Sequence, residues 1–305
     1  MNVSSQAQNQ NQNPARIDWT KPPATFLDLG HSELAYRRVG HGPDLLFVHG
    51  WPVSGATFRG VVAELADRFT CHVVDLPGAG FSRCREPERI SLTAHVDTVA
   101  EVVDRLGLER YGLVAHDSGG LVARHLAARD GRVAALVLGN TEIPGHHPPL
   151  LAFFILTARL PGGSALFGKL LGSPRFRRST LGFGTCFHDP AVIEGEFYEL
   201  CARPIIEDAR RRDEAMRLLT SLDPAIVADL EAIHGRIEVP VKLVWGAEDP
   251  FFPLAKAEAM LPQFPDADLT VLRPGKLFVH EERPADFARA ALPVLEAQLR
   301  AEAAA

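Results

Sequence analysis

The run Tyr111-Gly112-Leu113-Val114-Ala115-His116-Asp117-Ser118-Gly119-Gly120 passes from a β-rich apolar stretch straight into a helix-forming one. At the junction it offers two side chains able to attack carbon, Asp117 and Ser118. A strand that turns sharply into a helix holds a nucleophile clear of its neighbours, and the turn is so tight that the residues two before and two after it must be small. Around Asp117 these are Ala115 and Gly119, whereas around Ser118 they would be His116 and Gly120. The spacing favours the Asp117 carboxylate. Ser118 is the alternative, which requires the turn to be displaced by one residue. An Asp117 that only caps the following helix is the third.

A carboxylate is a weak nucleophile towards esters and amides, but it displaces a leaving group from carbon or opens a strained ring, forming an ester with the protein. Alkyl halides and epoxides are the electrophiles that fit. At a helix N-terminus the dipole is expected to keep Asp117 ionised at neutral pH.

Such a turn needs a sheet behind it. Short β-rich runs alternate with helical stretches: strands are expected over Glu33–Val39, Leu45–His49, Cys71–Asp75, Tyr111–Asp117, Val133–Gly139, Val241–Trp245 and Leu269–Leu272, with helices over Phe58–Arg68, Leu92–Leu106, Gly119–Arg129 and Pro253–Leu261. This alternation predicts an α/β fold, a mostly parallel sheet covered by helices on both faces. From about Ile143 to Leu222 there is no convincing strand, and an inserted helical cap over residues 143–222 is expected between core segments 16–142 and 223–300. An insertion beside the carboxyl edge of a sheet commonly covers a site.

The 305 residues, 46% hydrophobic, supply one large core. A net charge of −6 and a pI near 6.1 give no electropositive footprint for nucleic acid. The Arg clusters at Arg175, Arg177, Arg178 and Arg210 to Arg212 read as solvated helix faces. Four scattered cysteines with no CxxC pair suggest neither a metal cluster nor a disulfide framework, and reduced thiols in a cytoplasm are expected. Residues 1–15, rich in Asn, Gln and Ser, read as a disordered tail without signal-peptide features. The apolar stretch Leu150 to Leu160 is too short to span a bilayer and reads as an amphipathic helix; no membrane partner is expected. No phosphate-binding loop or ligand cluster calls for a cofactor or metal, and the implied partner is a small apolar molecule. Nothing in the sequence sets the oligomeric state.

Three motifs taken together, His49-Gly50-Trp51-Pro52, Asp75-Leu76-Pro77-Gly78-Ala79-Gly80-Phe81-Ser82 and His116-Asp117-Ser118-Gly119-Gly120, resemble the epoxide hydrolase and haloalkane dehalogenase branch of the α/β-hydrolase superfamily. The resemblance covers nearly everything after Asp18. It implies the α/β-hydrolase fold with a helical cap, and backbone N–H groups of Trp51 and Ser118 forming an oxyanion hole. The segment Val244-Trp245-Gly246-Ala247-Glu248-Asp249-Pro250 resembles the family's acid segment, which makes Asp249 the supporting acid, with Glu142 as the alternative.

One departure is chemical. The family places its catalytic histidine in a segment of the form Gly-His-Phe-x-x-Glu-x-x-Pro, and aligning Phe278, Glu281 and Pro284 puts Leu277 in the histidine slot. A base is needed there to deprotonate the water that hydrolyses the ester, and leucine holds no proton. His280, three residues on, is the candidate replacement. In the cap, His146 is a candidate substrate contact. Tyr198 is a candidate donor to a leaving oxygen, and the indole of Trp51 a candidate halide contact. Neither subfamily pattern is complete, since epoxide hydrolases typically have two cap tyrosines and dehalogenases a Trp after the nucleophile. Three readings stand: a hydrolase of carbon–halogen or epoxide bonds, an ester or lactone hydrolase using Ser118, and a non-catalytic ligand-binding member.

Overall fold

The computed structural model describes residues 17–222 and 224–300; the tail expectation for residues 1–15 lies outside them. Nine strands form one sheet: β1 (Thr25–Asp28), β2 (Ser32–Gly40), β3 (Asp44–Val48), β4 (Thr70–Val74), β5 (Arg83–Cys84), β6 (Tyr111–Ala115), β7 (Val133–Gly139), β8 (Val241–Gly246) and β9 (Ala267–Leu272). Their order is β1-β2-β4-β3-β6-β7-β8-β9, with β5 beside β2. Pairings that involve β2 are antiparallel, and those from β4 through β9 are parallel. β1 and β5 have no counterpart among the predicted strands, because four and two residues carry too little periodicity to read.

The central parallel strands β3, β6 and β7 are buried on both faces, so they are nearly continuous apolar runs, and alternate side chains enter two separate cores. Leu46, Val48, Leu113, Ala115, Leu136 and Leu243 face one core. Leu45, Phe47, Val114, Val137 and Val244 face the other. The first is covered by α2 (Leu92–Leu106) and α3 (Ser118–Ala127), and the second by α1 (Arg59–Leu65) and the later α13 (Pro284–Leu299). Ser91 caps α2 through its hydroxyl, and Gly107 ends it in the left-handed conformation.

Between β7 and β8 the described residues form helices only: α4 (Pro149–Arg159), α5 (Gly163–Leu171), α6 (Pro174–Arg177), α7 (Arg203–Glu207), α8 (Ala209–Thr220), α9 (Pro224–Ala228) and α10 (Leu230–His234), with short 3-10 and π turns between them. After β8 come α11 (Leu254–Met260) and, after β9, α12 (Val279–Glu282). Arg177 departs from the expected solvated face: it is 4% exposed, ion-paired to Glu194 and packed over the ring of Tyr198.

Packing leaves no room for a side chain where β6 enters α3. A Cβ added to Gly119 would lie 2.2 Å from the Val48 carbonyl oxygen. Helix propensity would favour alanine there by about 1 kcal/mol, but the clash is with strand backbone that cannot move aside. Gly119→Ala is therefore expected to be a net loss of about 1–3 kcal/mol, read as a lower urea midpoint at unchanged slope; a stability equal to wild type would refute the steric argument.

Candidate active site

The turn is built around a strained residue. Asp117 has φ 52, the one positive φ among the described non-glycine residues. Its N–H donates to the Asn140 carbonyl at 2.8 Å, and its carbonyl accepts from Gly120 N–H at 2.7 Å. The helix-cap alternative is not what is seen, since the Asp117 side chain makes no capping bond to α3. The carboxylate instead turns towards the loop after β3, where Trp51 N–H lies 2.9 Å from Asp117 Oδ2 and 3.1 Å from Ser118 Oγ. That approach needs Gly50, because a Cβ there would sit 2.4 Å from Oδ2. His49 holds the loop: its Nε2 accepts from Leu76 N–H at 2.9 Å, so its proton is on Nδ1, which donates to Gly50 O.

Above Asp117 lies a cavity of about 80 Å³ walled by Trp51, Leu151, Phe154, Phe167, Phe251 and Leu277, among others. Its polar side chains are Asp117, Ser118, Glu142 and Cys186, and no histidine or tyrosine is on its wall. Burial in these surroundings pushes the Asp117 carboxyl well above its ordinary range, and the nearby Glu142 charge pushes it further. The N–H groups of Ser118 and Trp51 act in the opposite direction. The helix dipole, worth about 0.3–1 kcal/mol at a helix end, therefore acts on Asp117 against burial and the Glu142 charge.

Glu142 is buried at the end of β7. Its Oε2 lies 2.8 Å from Thr141 Oγ1 and 3.8 Å from Arg124 Nη2. Arg124 is fully buried; it reaches Gly120 O, Thr141 Oγ1 at 3.0 Å and His234 Nε2 at 3.0 Å. Its pKa is pushed down to about 10 by burial, which leaves it charged at neutral pH. Burial raises the Glu142 carboxyl, and Arg124 opposes the shift. The hydrogen bonds agree with a protonated Glu142. Thr141 Oγ1 is also 2.8 Å from Asp117 O, and it has one proton to give; if Glu142 donates to Thr141, Thr141 is free to donate to Asp117 O. Arg124, Thr141 and Asn140 were not predicted. A buried Arg in the first helix after the turn was their only trace in the sequence.

Asp249, 4% exposed, accepts from Asn140 Nδ2 at 2.7 Å and Phe251 N–H at 2.8 Å. Asn140 thus joins Asp249 to the backbone of Asp117. Asp249 has no histidine partner.

Several sequence expectations are corrected here. His280 does not reach Asp117: it lies on the α1–α13 side of the sheet against Phe58, Phe287 and His116, with Nε2 2.8 Å from Thr57 Oγ1. Helix α12 begins at Val279, which turns His280 away from the cavity while Leu277 faces it. The Trp51 indole N–H is not available to a halide, because it donates to Ala215 O at 2.8 Å. His146 is not on the cavity wall and bonds Phe251 O through Nε2. Tyr198 is also off the wall, beneath the Arg177 guanidinium. The four cysteines are free, and the described residues hold no cluster able to bind a metal.

The sheet order, the strained turn and the loop around Trp51 are those of an α/β hydrolase, and the chain belongs to the Alpha/beta hydrolase family, whose model matches residues 45–290. Its relatives include haloalkane dehalogenase 2 of Mycobacterium tuberculosis, 27% identical over 285 residues (88% of this chain and 95% of the relative). The pimeloyl-[acyl-carrier protein] methyl ester esterase of Chromobacterium violaceum is 29% identical over 279 residues (85% and 97%). Among solved structures, an α/β hydrolase fold protein from Burkholderia ambifaria superposes with a TM-score of 0.76 at 22% identity (88% of this chain and 97% of that one). A haloalkane dehalogenase from Bradyrhizobium elkani does so with 0.75 at 23% (92% and 99%).

Burial raises the Asp249 carboxyl from 3.8 to about 7, against the bonds from Phe251, Asn140 and Phe252. Between those values the folded protein keeps a proton that the unfolded chain releases, so stability falls as pH rises through this window, at most about 1.4 kcal/mol per pH unit for one group. Asp249→Asn is expected to flatten that decline in melting temperature between pH 4 and pH 7; an unchanged slope would show that Asp249 is ionised throughout.

Proposed function

We propose that this protein uses the Asp117 carboxylate to attack the carbon of a small apolar electrophile, a haloalkane or an epoxide, and that Leu277 leaves the resulting ester without its usual hydrolytic base. The reading rests on one juxtaposition: a strained Asp117 pointing at the Trp51 N–H in an apolar cavity, with Leu277 on the same wall. In the step, an Asp117 oxygen forms a bond to carbon as the carbon–halogen or carbon–oxygen bond breaks, and the bonding pair leaves with halide or alkoxide. The Trp51 and Ser118 N–H groups, which meet the Asp117 carboxylate, would stabilise the oxyanion formed when water attacks the ester carbonyl. The haloalkane dehalogenase names among the relatives support the carbon–halogen version. For the epoxide version, a protonated Glu142 would supply the proton that the alkoxide needs.

A second reading keeps turnover. Glu142 is on the cavity wall and, once ionised beside Arg124, would accept the proton of the attacking water in place of a histidine. The ester-hydrolase reading through Ser118 draws support from the esterase relative, but no histidine lies on the wall to activate the hydroxyl.

Incubation with a 1-bromoalkane or a terminal epoxide, followed by intact-protein mass and by released halide or diol, separates these. The expected result is a stoichiometric adduct on wild type, none on Asp117→Asn, and sustained turnover in Leu277→His. Turnover by wild type that Glu142→Gln abolishes would favour Glu142 as base. Labelling that survives in Asp117→Asn would refute the proposal. Since the raised Asp117 pKa leaves a neutral acid at low pH, the labelling rate is expected to rise with pH through that pKa and then level off; a pH-independent rate between pH 5 and pH 9 would refute an attacking carboxylate with a raised pKa.

A further inference from the structure

The exposed large apolar side chains of the described residues are concentrated in one segment. Phe153, Leu156, Leu160, Leu166, Leu170 and Leu181 are 38–63% exposed, and no other large hydrophobic residue is as open. Phe153 and Leu156 share one face of α4, with Leu160 just past its end, and Leu166 and Leu170 share one face of α5. Helix α4, of sequence PLLAFFILTAR, has no fully buried residue. A contiguous face of this kind is uncommon on a free surface and marks a binding surface.

Charge identifies the occupant. In a chain of net charge −6, the stretch from Ile143 to His188 contains five cations, Arg159, Lys169, Arg175, Arg177 and Arg178, and no Asp or Glu. Arg177 and Arg178 pair with Glu194. Arg159, Lys169 and Arg175 are exposed and have no ion pair among the described residues. Exposed apolar side chains with three unpaired cations in the same segment complement an anionic lipid surface, and the carboxylate that meets α5 from α8, Asp213, is hydrogen-bonded to Ser164. They disfavour a second copy of the chain, because a two-fold interface would bring these cations against each other. The described residues include no helix long and apolar enough to cross a membrane, so the contact would be peripheral.

Behind this face lies a second apolar cavity, of about 170 Å³, lined by Phe153, Leu166, Leu170 and Leu181 from the exposed set. It shares Phe154, Phe167, Leu181 and Leu219 with the cavity over Asp117. We infer that the α4–α5 face docks on an anionic lipid surface, and that apolar molecules dissolved in the lipid pass between the cap helices into the cavity over Asp117. The docking is independent of the chemistry at Asp117. It goes beyond the expectation of no membrane partner, which rested on the absence of a spanning segment and did not address a helix lying on the surface.

The test is cosedimentation of the full chain with sucrose-loaded vesicles of phosphatidylcholine, alone or with one third phosphatidylglycerol. Binding is expected to the anionic vesicles only and to decline with added salt. Leu156→Ser with Leu160→Ser is expected to abolish it. Arg159→Gln with Lys169→Gln is expected to weaken partitioning by roughly 25-fold, at about 1 kcal/mol for each cation. All four residues are exposed and outside both cavities, so an unchanged circular dichroism melt serves as the folding control. A protein that stays in the supernatant at every lipid concentration overturns the proposal, as do variants that bind like wild type. A dimer seen by sedimentation velocity and dissolved by Leu156→Ser with Leu160→Ser, without vesicle binding, assigns the face to a second copy and also overturns it.

Discussion

The backbone at Asp117 is the constraint from which the rest of the site follows. A side chain held at φ 52 costs about 1–3 kcal/mol and persists only if its surroundings leave it no alternative. Here the Asn140 carbonyl takes its N–H, Gly120 bonds its carbonyl, and Gly50 and Gly119 allow two strand ends to close around it with no Cβ between. The result is a carboxylate lifted off the sheet edge and aimed at one backbone N–H. Strain is concentrated where reactivity is wanted, and the two flanking cores supply the stability that holds it.

Placing that carboxylate in an apolar cavity sets a second problem, because the fold gathers acids there faster than it supplies cations. Asp117, Glu142 and Asp249 are all raised by burial, and Arg124 is the guanidinium that offsets Glu142. An unpaired buried charge costs several kcal/mol, so neutralisation by protonation is the cheaper outcome. The proton arrangement around Thr141 fits one neutral acid in the Asp117–Glu142 pair. A neutral Glu142 also spares Asp117 a like charge, which is the condition under which Asp117 ionises most easily.

The sequence exposed those parts of the molecule that repeat or that crowd. The central parallel strands were readable because each is a nearly continuous apolar run, and the turn at Asp117 because its small neighbours are a steric demand that only Asp117 and not Ser118 meets. What escaped was contact between residues far apart in the chain. Nothing local shows that the Trp51 indole would be taken by Ala215, that Tyr198 would lie under Arg177, or that Arg124 would meet Glu142. His280 failed for a related reason: only the packing of α12, which begins at Val279, shows that His280 lies against Phe58, Phe287 and His116 while Leu277 faces the cavity. That Arg159, Lys169 and Arg175 have no ion pair among the described residues is likewise invisible until the cap helices are packed.

Asp249 belongs to the frame that holds the turn at Asp117. With leucine at 277 no imidazole needs orienting, and an acid kept only for that purpose would be a costly buried group. Its remaining bonds give it another role. Asn140 donates to Asp249 through Nδ2 and accepts from Gly246 N–H through Oδ1, and its backbone carbonyl receives the Asp117 N–H. Asp249 therefore clamps the ends of β7 and β8, and through Asn140 it fixes the backbone of the strained turn. Fixed in this way, the acid segment sustains the geometry of Asp117 whether or not a base stands opposite. The strained turn is thus held by β7, β8 and the acid segment together, with Leu277 on the cavity wall that Asp117 shares.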